Sequence, residues 1–198
     1  MLSSSENKPL RYLALGDSYT IGEAVAAAAS FPFQLRDHWQ RAGLQVQTPV
    51  VVARTGWTTD ELQAALAAEN WPTPFDRVTL LIGVNNQYRG YPLAQYQIEF
   101  RALLQSAIGY AAGQAAAVSV LSIPDWGNTP FAQASGRDLS QISVEIDAFN
   151  VVNREETLLA GSHYVDITPL SQSNEAGLIA SDGLHYSGAM YVRWAALL

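Results

Sequence analysis

The sequence contains no cysteine, which excludes disulfide bonds, thiolate nucleophiles and cysteine-ligated metal sites. It is also poor in positive charge, because 11 Lys and Arg against 18 Asp and Glu give a formal net charge of −7. Nucleic acids and anionic membranes are bound through clustered Lys and Arg, so we expect no nucleic-acid partner. Long apolar runs are absent too. A membrane-spanning helix needs roughly 18 such residues in a row, and we therefore expect no stable membrane insertion.

The N-terminal residues 1–9 are polar and lack the apolar segment of a signal peptide. We expect a cytoplasmic protein as the sequence stands, or an exported one if a leader has been removed. The length of 198 residues and the hydrophobic fraction of 48% fit a single domain with an apolar core, predicted over residues 1–198. Nothing in the sequence predicts the oligomeric state.

Apolar strands alternate with helices along the whole chain. Continuous apolar or β-branched runs predict strands at 11–15, 46–53, 78–82, 116–123 and 164–167. Apolar spacing and capping residues predict helices at 30–43, 58–69, 92–112, 139–160 and 187–198, with loops at 83–91 and 124–138. Strands that are apolar throughout and alternate with helices indicate a parallel sheet covered on both faces, in one doubly wound α/β domain.

Reactive and polar residues follow these strands. In a doubly wound sheet, ligands bind where the carboxyl ends of the strands meet. The residues expected at that edge are, in chain order, Gly16, Asp17, Ser18, Arg54, Gly56, Trp57, Asn85, Tyr88, Trp126, Phe131, Asp182 and His185. The other histidines have simpler interpretations, because His38 falls within an amphipathic helix and His163 lies at the opposite end of the fifth strand.

These residues match the requirements of acyl transfer by a serine. Ser18 supplies a nucleophile, His185 a base, and Asp182 a carboxylate three residues away that can orient the imidazole. The Ser18 and Gly56 backbone N–H groups and the Asn85 amide supply donors for the developing oxyanion.

Taken one at a time, the same residues have structural interpretations. Ser18 has the position of a helix N-cap, and Gly16 that of a turn glycine. Gly56 and Asn85 fit ordinary turns and loops, and an isolated Asp-X-X-His pair fits a helix cap. Their joint occurrence at one sheet edge favours catalysis.

Four ordered blocks carry a resemblance to the SGNH/GDSL hydrolase family: "GDSY" with Ser18, "RTGWTT" with Gly56, "GVNN" with Asn85, and "DGLH" with Asp182 and His185. Together they cover almost the full chain. The resemblance implies a three-layer α/β/α flavodoxin-like fold, with a five-stranded parallel sheet in the order 2-1-3-4-5. It also implies serine ester hydrolysis with no metal and no organic cofactor. Tyr186 is a departure, because relatives often have proline after the histidine.

The substrate is predicted more coarsely, as a small-molecule ester. Trp57, Tyr88, Trp126 and Phe131 are candidate pocket residues, and no extended apolar lid is apparent, so short acyl or acetyl esters are favoured. Lysophospholipase or thioesterase activity is the alternative within the family. Arg54 and Arg89 either contact an acidic or sugar portion of the substrate or are solvated.

A different class of function is ligand binding without catalysis. A flavodoxin-like protein would use residues 18–23 to cradle a phosphate through backbone N–H groups, and a degenerate relative would bind its ligand without cleaving it. Neither alternative gives a reason for Asp182, His185 and Asn85 to occur together.

Overall fold

A five-stranded parallel sheet forms the centre of the computed structural model, which describes residues 8–173 and 175–198. Its strands are β1 (Tyr12–Gly16), β2 (Val50–Ala53), β3 (Arg77–Leu81), β4 (Val118–Leu121) and β5 (His163–Val165). The order is β2-β1-β3-β4-β5, and Leu13 of the inner strand β1 lies opposite Val50 on one side and Val78 on the other. The predicted sheet and strand order are confirmed.

Helices cover both faces of the sheet. They are α1 (Ser18–Ile21), α2 (Phe31–Arg41), α3 (Thr59–Ala68), α4 (Val84–Tyr88), α5 (Leu93–Tyr110), α6 (Pro130–Ala134), α7 (Leu139–Leu159), α8 (Thr168–Ser171) and α9 (Gly188–Ala195). Helix α2 packs against α9, while α5 packs against α3 and α7. Within the described ranges, no helix has both the length and the apolar character needed to cross a membrane.

The long helix α7 follows its predicted course. Asp138 caps it by accepting hydrogen bonds from the backbone N–H groups of Ser140 and Gln141. Apolar residues at helical spacing form its buried face, namely Ile142, Ile146, Phe149 and Val152. Its regular 3.6-residue spacing explains the agreement, because that pattern needs no information from the rest of the chain.

Strand β2 is shorter than predicted. It begins at Val50, and Val46 makes only an isolated bridge with Leu10. Pro49 lies between these two segments and has no N–H to donate to a sheet, which accounts for the interruption.

The predicted loops contain helices. Residues 83–91 include α4, and residues 124–138 include a 3₁₀ turn at Trp126–Asn128 followed by α6. Helix α4 is fixed by tertiary contacts. The fully buried Asn86 accepts a hydrogen bond from Thr59 N (3.1 Å) and donates one to Thr59 Oγ1 (2.7 Å). Such a contact between positions 27 residues apart leaves no local sequence pattern, and it anchors the helix that carries Asn85.

Candidate active site

A cavity of about 230 Å³ lies at the carboxyl edge of the sheet. It is lined by Ser18, Tyr19, Thr55, Gly56, Val84, Asn85, Tyr88, Trp126, Phe131, Leu184 and His185. The loops after several strands contribute to it, as the parallel topology requires. Four separate stretches of the sequence therefore place the predicted nucleophile, base and oxyanion donors around one space.

Ser18 is the first residue of α1 and is 5% exposed. The N-cap is Asp17, whose Oδ1 accepts a hydrogen bond from Tyr19 N at 3.0 Å. The interpretation of Ser18 as the N-cap is therefore wrong, and the Ser18 hydroxyl is not engaged in capping. Its backbone N–H belongs to the first helical turn, whose N–H groups have no partner inside the helix.

Gly16 lies in β1 and not in a turn. A Cβ at this position would stand 2.1 Å from Thr20 Oγ1 and 2.3 Å from the Leu81 carbonyl oxygen. Glycine is needed here for close approach between the strand, its neighbour and α1, which corrects the prediction of a turn glycine. This packing sets the position at which Ser18 follows the strand.

The Asp182 carboxylate holds both the ring and the backbone of His185. Its Oδ2 lies 2.6 Å from His185 Nδ1, and its Oδ1 accepts hydrogen bonds from Leu184 N and His185 N, each at 3.0 Å. Partial burial raises the pKa of Asp182, but the hydrogen bond with His185 and the backbone N–H groups outweigh it and lower that pKa below its ordinary value. The Nδ1 contact leaves Nε2 available as a base.

Tyr186 anchors the histidine where relatives often have proline. It is fully buried, with its ring centroid 5.5 Å from that of Tyr19 and 5.3 Å from that of Trp194. Tyr186 also forms an isolated antiparallel β-bridge with Ile179. Next to it, Ala180 N donates to the His185 carbonyl oxygen at 2.7 Å. Burial and backbone pairing therefore restrain His185 without a proline ring.

The Asn85 amide is oriented by the loop after β2. Its Nδ2 donates to the Trp57 carbonyl oxygen at 2.9 Å. An amide nitrogen carries two N–H bonds, so the second remains for a ligand in the cavity. Gly56 also lines the cavity and has φ +85°, a left-handed conformation that glycine adopts without strain.

Aromatic side chains form one wall of the cavity. The Trp126 ring centroid lies 5.5 Å from that of Tyr88 and 6.1 Å from that of Phe131. Trp126 Nε1 donates to Gln87 Oε1 at 2.9 Å. Three predicted pocket residues are thus brought together. Among the described residues, neither Trp57, which packs against the core, nor the exposed Arg54 lines the cavity.

Two arginines act at this edge in ways that the sequence did not indicate. The Arg137 guanidinium lies 4.3 Å from the Tyr88 ring centroid and donates to the Tyr88 carbonyl at 2.8 Å. Arg89 donates to the Gly56 carbonyl at 2.6 Å. Both contacts join residues far apart in the chain, so neither had a sequence signal.

Val84 and Leu184 also line the cavity, and their positions beside Asn85 and His185 were the available clue.

Asp17 is a buried carboxyl group directly before Ser18. It is 1% exposed, and this burial raises its pKa to about 7 despite the hydrogen bond from Tyr19 N, which lowers it. Among the described residues, no group donates a hydrogen bond to its Oδ2.

The Asp17→Asn variant should therefore be increasingly stabilised relative to the wild type as the pH rises from about 4 to about 7. Over that range the unfolded carboxyl loses its proton while the folded one retains it, so the wild-type free energy of unfolding falls. A pKa difference of about 3 units corresponds to about 4 kcal/mol. Urea unfolding at pH 4, 5, 6 and 8 measures the difference, with the exposed Asp147→Asn as control. A difference independent of pH would contradict the assignment.

Similarity to known proteins identifies the family of this chain. A family model described as the GDSL-like lipase/acylhydrolase family matches residues 14–193. The lipase/acylhydrolase from Enterococcus faecalis is 21% identical, with 95% of this chain and 93% of that one covered at a TM-score of 0.70. The acetylxylan esterase Axe2 from Geobacillus stearothermophilus is 18% identical, with 93% and 91% covered at a TM-score of 0.70.

TesA, for which a crystal structure is known, is 21% identical in sequence to this chain. The two structures match over 94% of both chains at a TM-score of 0.69. No match was found among curated protein sequences. At these identities the structural likenesses show the shared fold, and the family model, which spans most of the chain, identifies the family. The chain belongs to the GDSL-like lipase/acylhydrolase family and is a carboxylic ester hydrolase.

Proposed function

We propose that the protein hydrolyses short acyl esters through a covalent acyl-enzyme formed on Ser18. His185 is the general base and Asp182 the residue that orients it. One observation carries the proposal: the Asp182–His185 contact of 2.6 Å lies beside a cavity that Ser18 and His185 both line. The arrangement supplies the nucleophile, base and orienting carboxylate that acyl transfer requires.

In the first half-reaction, Ser18 Oγ attacks the ester carbonyl as His185 Nε2 takes the hydroxyl proton. Asp182 stabilises the imidazolium that forms, since its Oδ2 already faces Nδ1. The carbonyl oxygen becomes an oxyanion near the backbone N–H groups of Ser18 and Gly56 and the free N–H of the Asn85 amide. His185 then protonates the leaving alcohol, and the acyl group stays on Ser18.

In the second half-reaction, water attacks the acyl-enzyme and transfers a proton to His185. The same oxyanion donors stabilise the second tetrahedral intermediate. Its collapse releases the carboxylic acid, and His185 returns its proton to Ser18 Oγ. The Ser18 proton leaves with the alcohol, and the proton that returns to Ser18 comes from the attacking water, so the enzyme is regenerated with ester plus water converted to acid plus alcohol.

The cavity supports a short acyl group. A dry cavity of about 150 Å³ holds benzene, and pockets for drug-sized ligands begin at about 300 Å³. A volume of about 230 Å³ lies between these and suits an acyl chain of a few carbons. The likeness to an acetylxylan esterase supports acetyl esters of carbohydrates as members of this substrate class.

A series of p-nitrophenyl esters tests the acyl-length proposal. We expect kcat/KM to be highest for the acetate or butanoate and to fall for the octanoate and dodecanoate. Phe131 is a half-exposed wall residue, so Phe131→Ala should open the cavity without removing a core side chain. The octanoate-to-acetate ratio of kcat/KM should then rise at least roughly tenfold, because a change of one methylene group in an apolar pocket alters kcat/KM by about that factor or more.

Leu93→Ala is the matched control, because Leu93 is similarly exposed (39%, against 38% for Phe131) and does not line the cavity among the described residues. It should leave the ratio unchanged. A wild-type optimum at dodecanoate, or an equal shift in both variants, would contradict the assignment of the wall.

A further inference from the structure

The Arg89 side chain binds the carbonyl oxygen of the peptide group between Gly56 and Trp57. Arg89, at the C-terminal end of α4, donates from Nη2 to the Gly56 carbonyl oxygen at 2.6 Å and from Nη1 to Glu61 Oε1 at 3.3 Å. We infer that Arg89 is a positioning residue that holds Gly56 in the conformation directing its N–H at the oxyanion. This inference rests on the proposed function, in which the Gly56 N–H is an oxyanion donor.

Few contacts hold the conformation of Gly56 beyond the turn bond from Trp57 N to the Arg54 carbonyl oxygen at 3.2 Å. A glycine with φ +85° has ready access to other backbone conformations, so rotation of its peptide groups is easy unless something prevents it. Packing does little here. If Gly56 carried a Cβ, a single heavy atom of the described residues, apart from its chain neighbours, would lie within 4 Å of it. That atom is Arg89 Nη2, at 3.7 Å. The arginine is therefore the main contact on that side of the glycine.

Arg89 is itself held in place. Glu61 receives the second Arg89 contact on Oε1, while its Oε2 accepts from Thr58 N at 2.9 Å in the capping box of α3. The hydrogen bond from Thr58 N lowers the pKa of Glu61, and the contact with Arg89 lowers it further. Burial raises the pKa but only partly opposes these effects, so Glu61 stays ionised. Gly56, Arg89, Glu61 and Thr58 are thus linked around the loop between β2 and α3.

Neighbouring contacts secure other parts of the same loop. Asn85 holds the Trp57 carbonyl, and Thr55 Oγ1 donates to Glu23 Oε2. None of these contacts the Gly56 carbonyl oxygen, which Arg89 holds. The turn bond from Trp57 N to the Arg54 carbonyl oxygen restrains the N–H side of the same peptide. Arg89 also does not line the cavity in the described residues, so a direct contact with a short substrate is not expected. The geometry favours positioning over substrate binding.

Steady-state kinetics of the full chain with p-nitrophenyl acetate tests the inference. Loss of a whole oxyanion donor costs about 10²- to 10³-fold in kcat, and a donor that is present but poorly held should cost less. We expect Arg89→Met to lower kcat about 10- to 100-fold with KM changed by less than roughly twofold. Arg89→Lys keeps a charge and N–H donors and should recover part of the loss.

The matched control is Arg193→Met, which removes an exposed arginine paired with Glu175 at 2.6 Å and lying outside the cavity lining. Its kcat should equal that of the wild type. An unchanged kcat in Arg89→Met, or a rise in KM alone, would overturn the positioning role. Thermal unfolding of every variant detects misfolding, and if Arg89→Met does not fold, the comparison rests on Arg89→Lys and Arg89→Gln.

The Gly56 amide resonance provides a readout that does not depend on activity. In ¹⁵N-labelled protein it should shift or broaden in Arg89→Met, while the Gly43 amide, in an open loop, stays in place. An unmoved Gly56 resonance would overturn the inference even if the enzyme were active. If the wild type cleaves no ester, the proposed function is wrong. The Gly56 resonance then decides by itself whether Arg89 positions the loop.

Discussion

Replacing Ser18 with alanine is expected to lower kcat for p-nitrophenyl acetate by about 10⁶-fold. The hydroxyl is the only group of the β1–α1 turn that our mechanism uses to form a covalent bond. Without it no acyl-enzyme forms, and the residual rate comes only from the oxyanion donors acting on direct attack by water. Asp17, and not Ser18, caps α1, so the substitution removes no helix cap.

The stability of Ser18→Ala should therefore remain close to that of the wild type, which separates a chemical defect from a folding defect. Ser106→Ala serves as the control, because Ser106 lies on α5 and, within the described part of the chain, its hydroxyl bonds only to Ala102 and Gln63. Its kcat should match the wild type. Hydrolysis by Ser18→Ala within tenfold of the wild-type rate would rule out Ser18 as the nucleophile.

Replacing Asp182 with asparagine is expected to lower kcat by about 10⁴-fold. In the wild type, Oδ1 accepts the N–H groups of Leu184 and His185, and Oδ2 faces His185 Nδ1. The asparagine oxygen should take the place of Oδ1, because two backbone donors point at it. Its NH₂ group then faces Nδ1 and donates to it, which leaves the proton of the neutral imidazole on Nε2. That tautomer cannot accept the Ser18 proton.

Asp138→Asn is a closely matched control for this substitution. Asp138 also accepts two backbone N–H groups through one oxygen, from Ser140 and Gln141, but it caps α7 away from the cavity lining. Asparagine caps a helix about as well as aspartate, so stability and kcat should both be preserved. Steady-state kinetics and thermal unfolding of the two variants make the comparison. An Asp182→Asn enzyme with more than a tenth of wild-type kcat would contradict the orienting role of Asp182.

The strands of the sheet and the long helix α7 were predictable because their signals are local. Apolar runs mark β1 and β3, and the regular spacing of Ile142, Ile146 and Phe149 marks the buried face of α7. The resemblance added the strand order. Parallel topology then brings the ends of these strands to one edge, which is why residues as distant as Ser18 and His185 were expected together.

The parts that were missed depend on contacts between distant residues. Helix α4 forms where Asn86 bonds to Thr59, and nothing within residues 83–91 records that partner. Arg89 looked like a solvated or substrate-binding arginine, since its acceptor, the Gly56 carbonyl, exists only after the loops meet. Arg54 and Trp57 were expected near the substrate because they lie in the loop after β2, but a place in that loop does not determine which side chains face the cavity.

The central claim is that Ser18 attacks the substrate and carries the acyl group. Treating the protein with a fluorophosphonate and analysing its peptides by mass spectrometry tests this claim most directly. We predict one phosphonyl group per chain, on the peptide that contains Ser18, and none in Ser18→Ala. A modification on another residue, or an unmodified wild type that still hydrolyses esters, would contradict the mechanism.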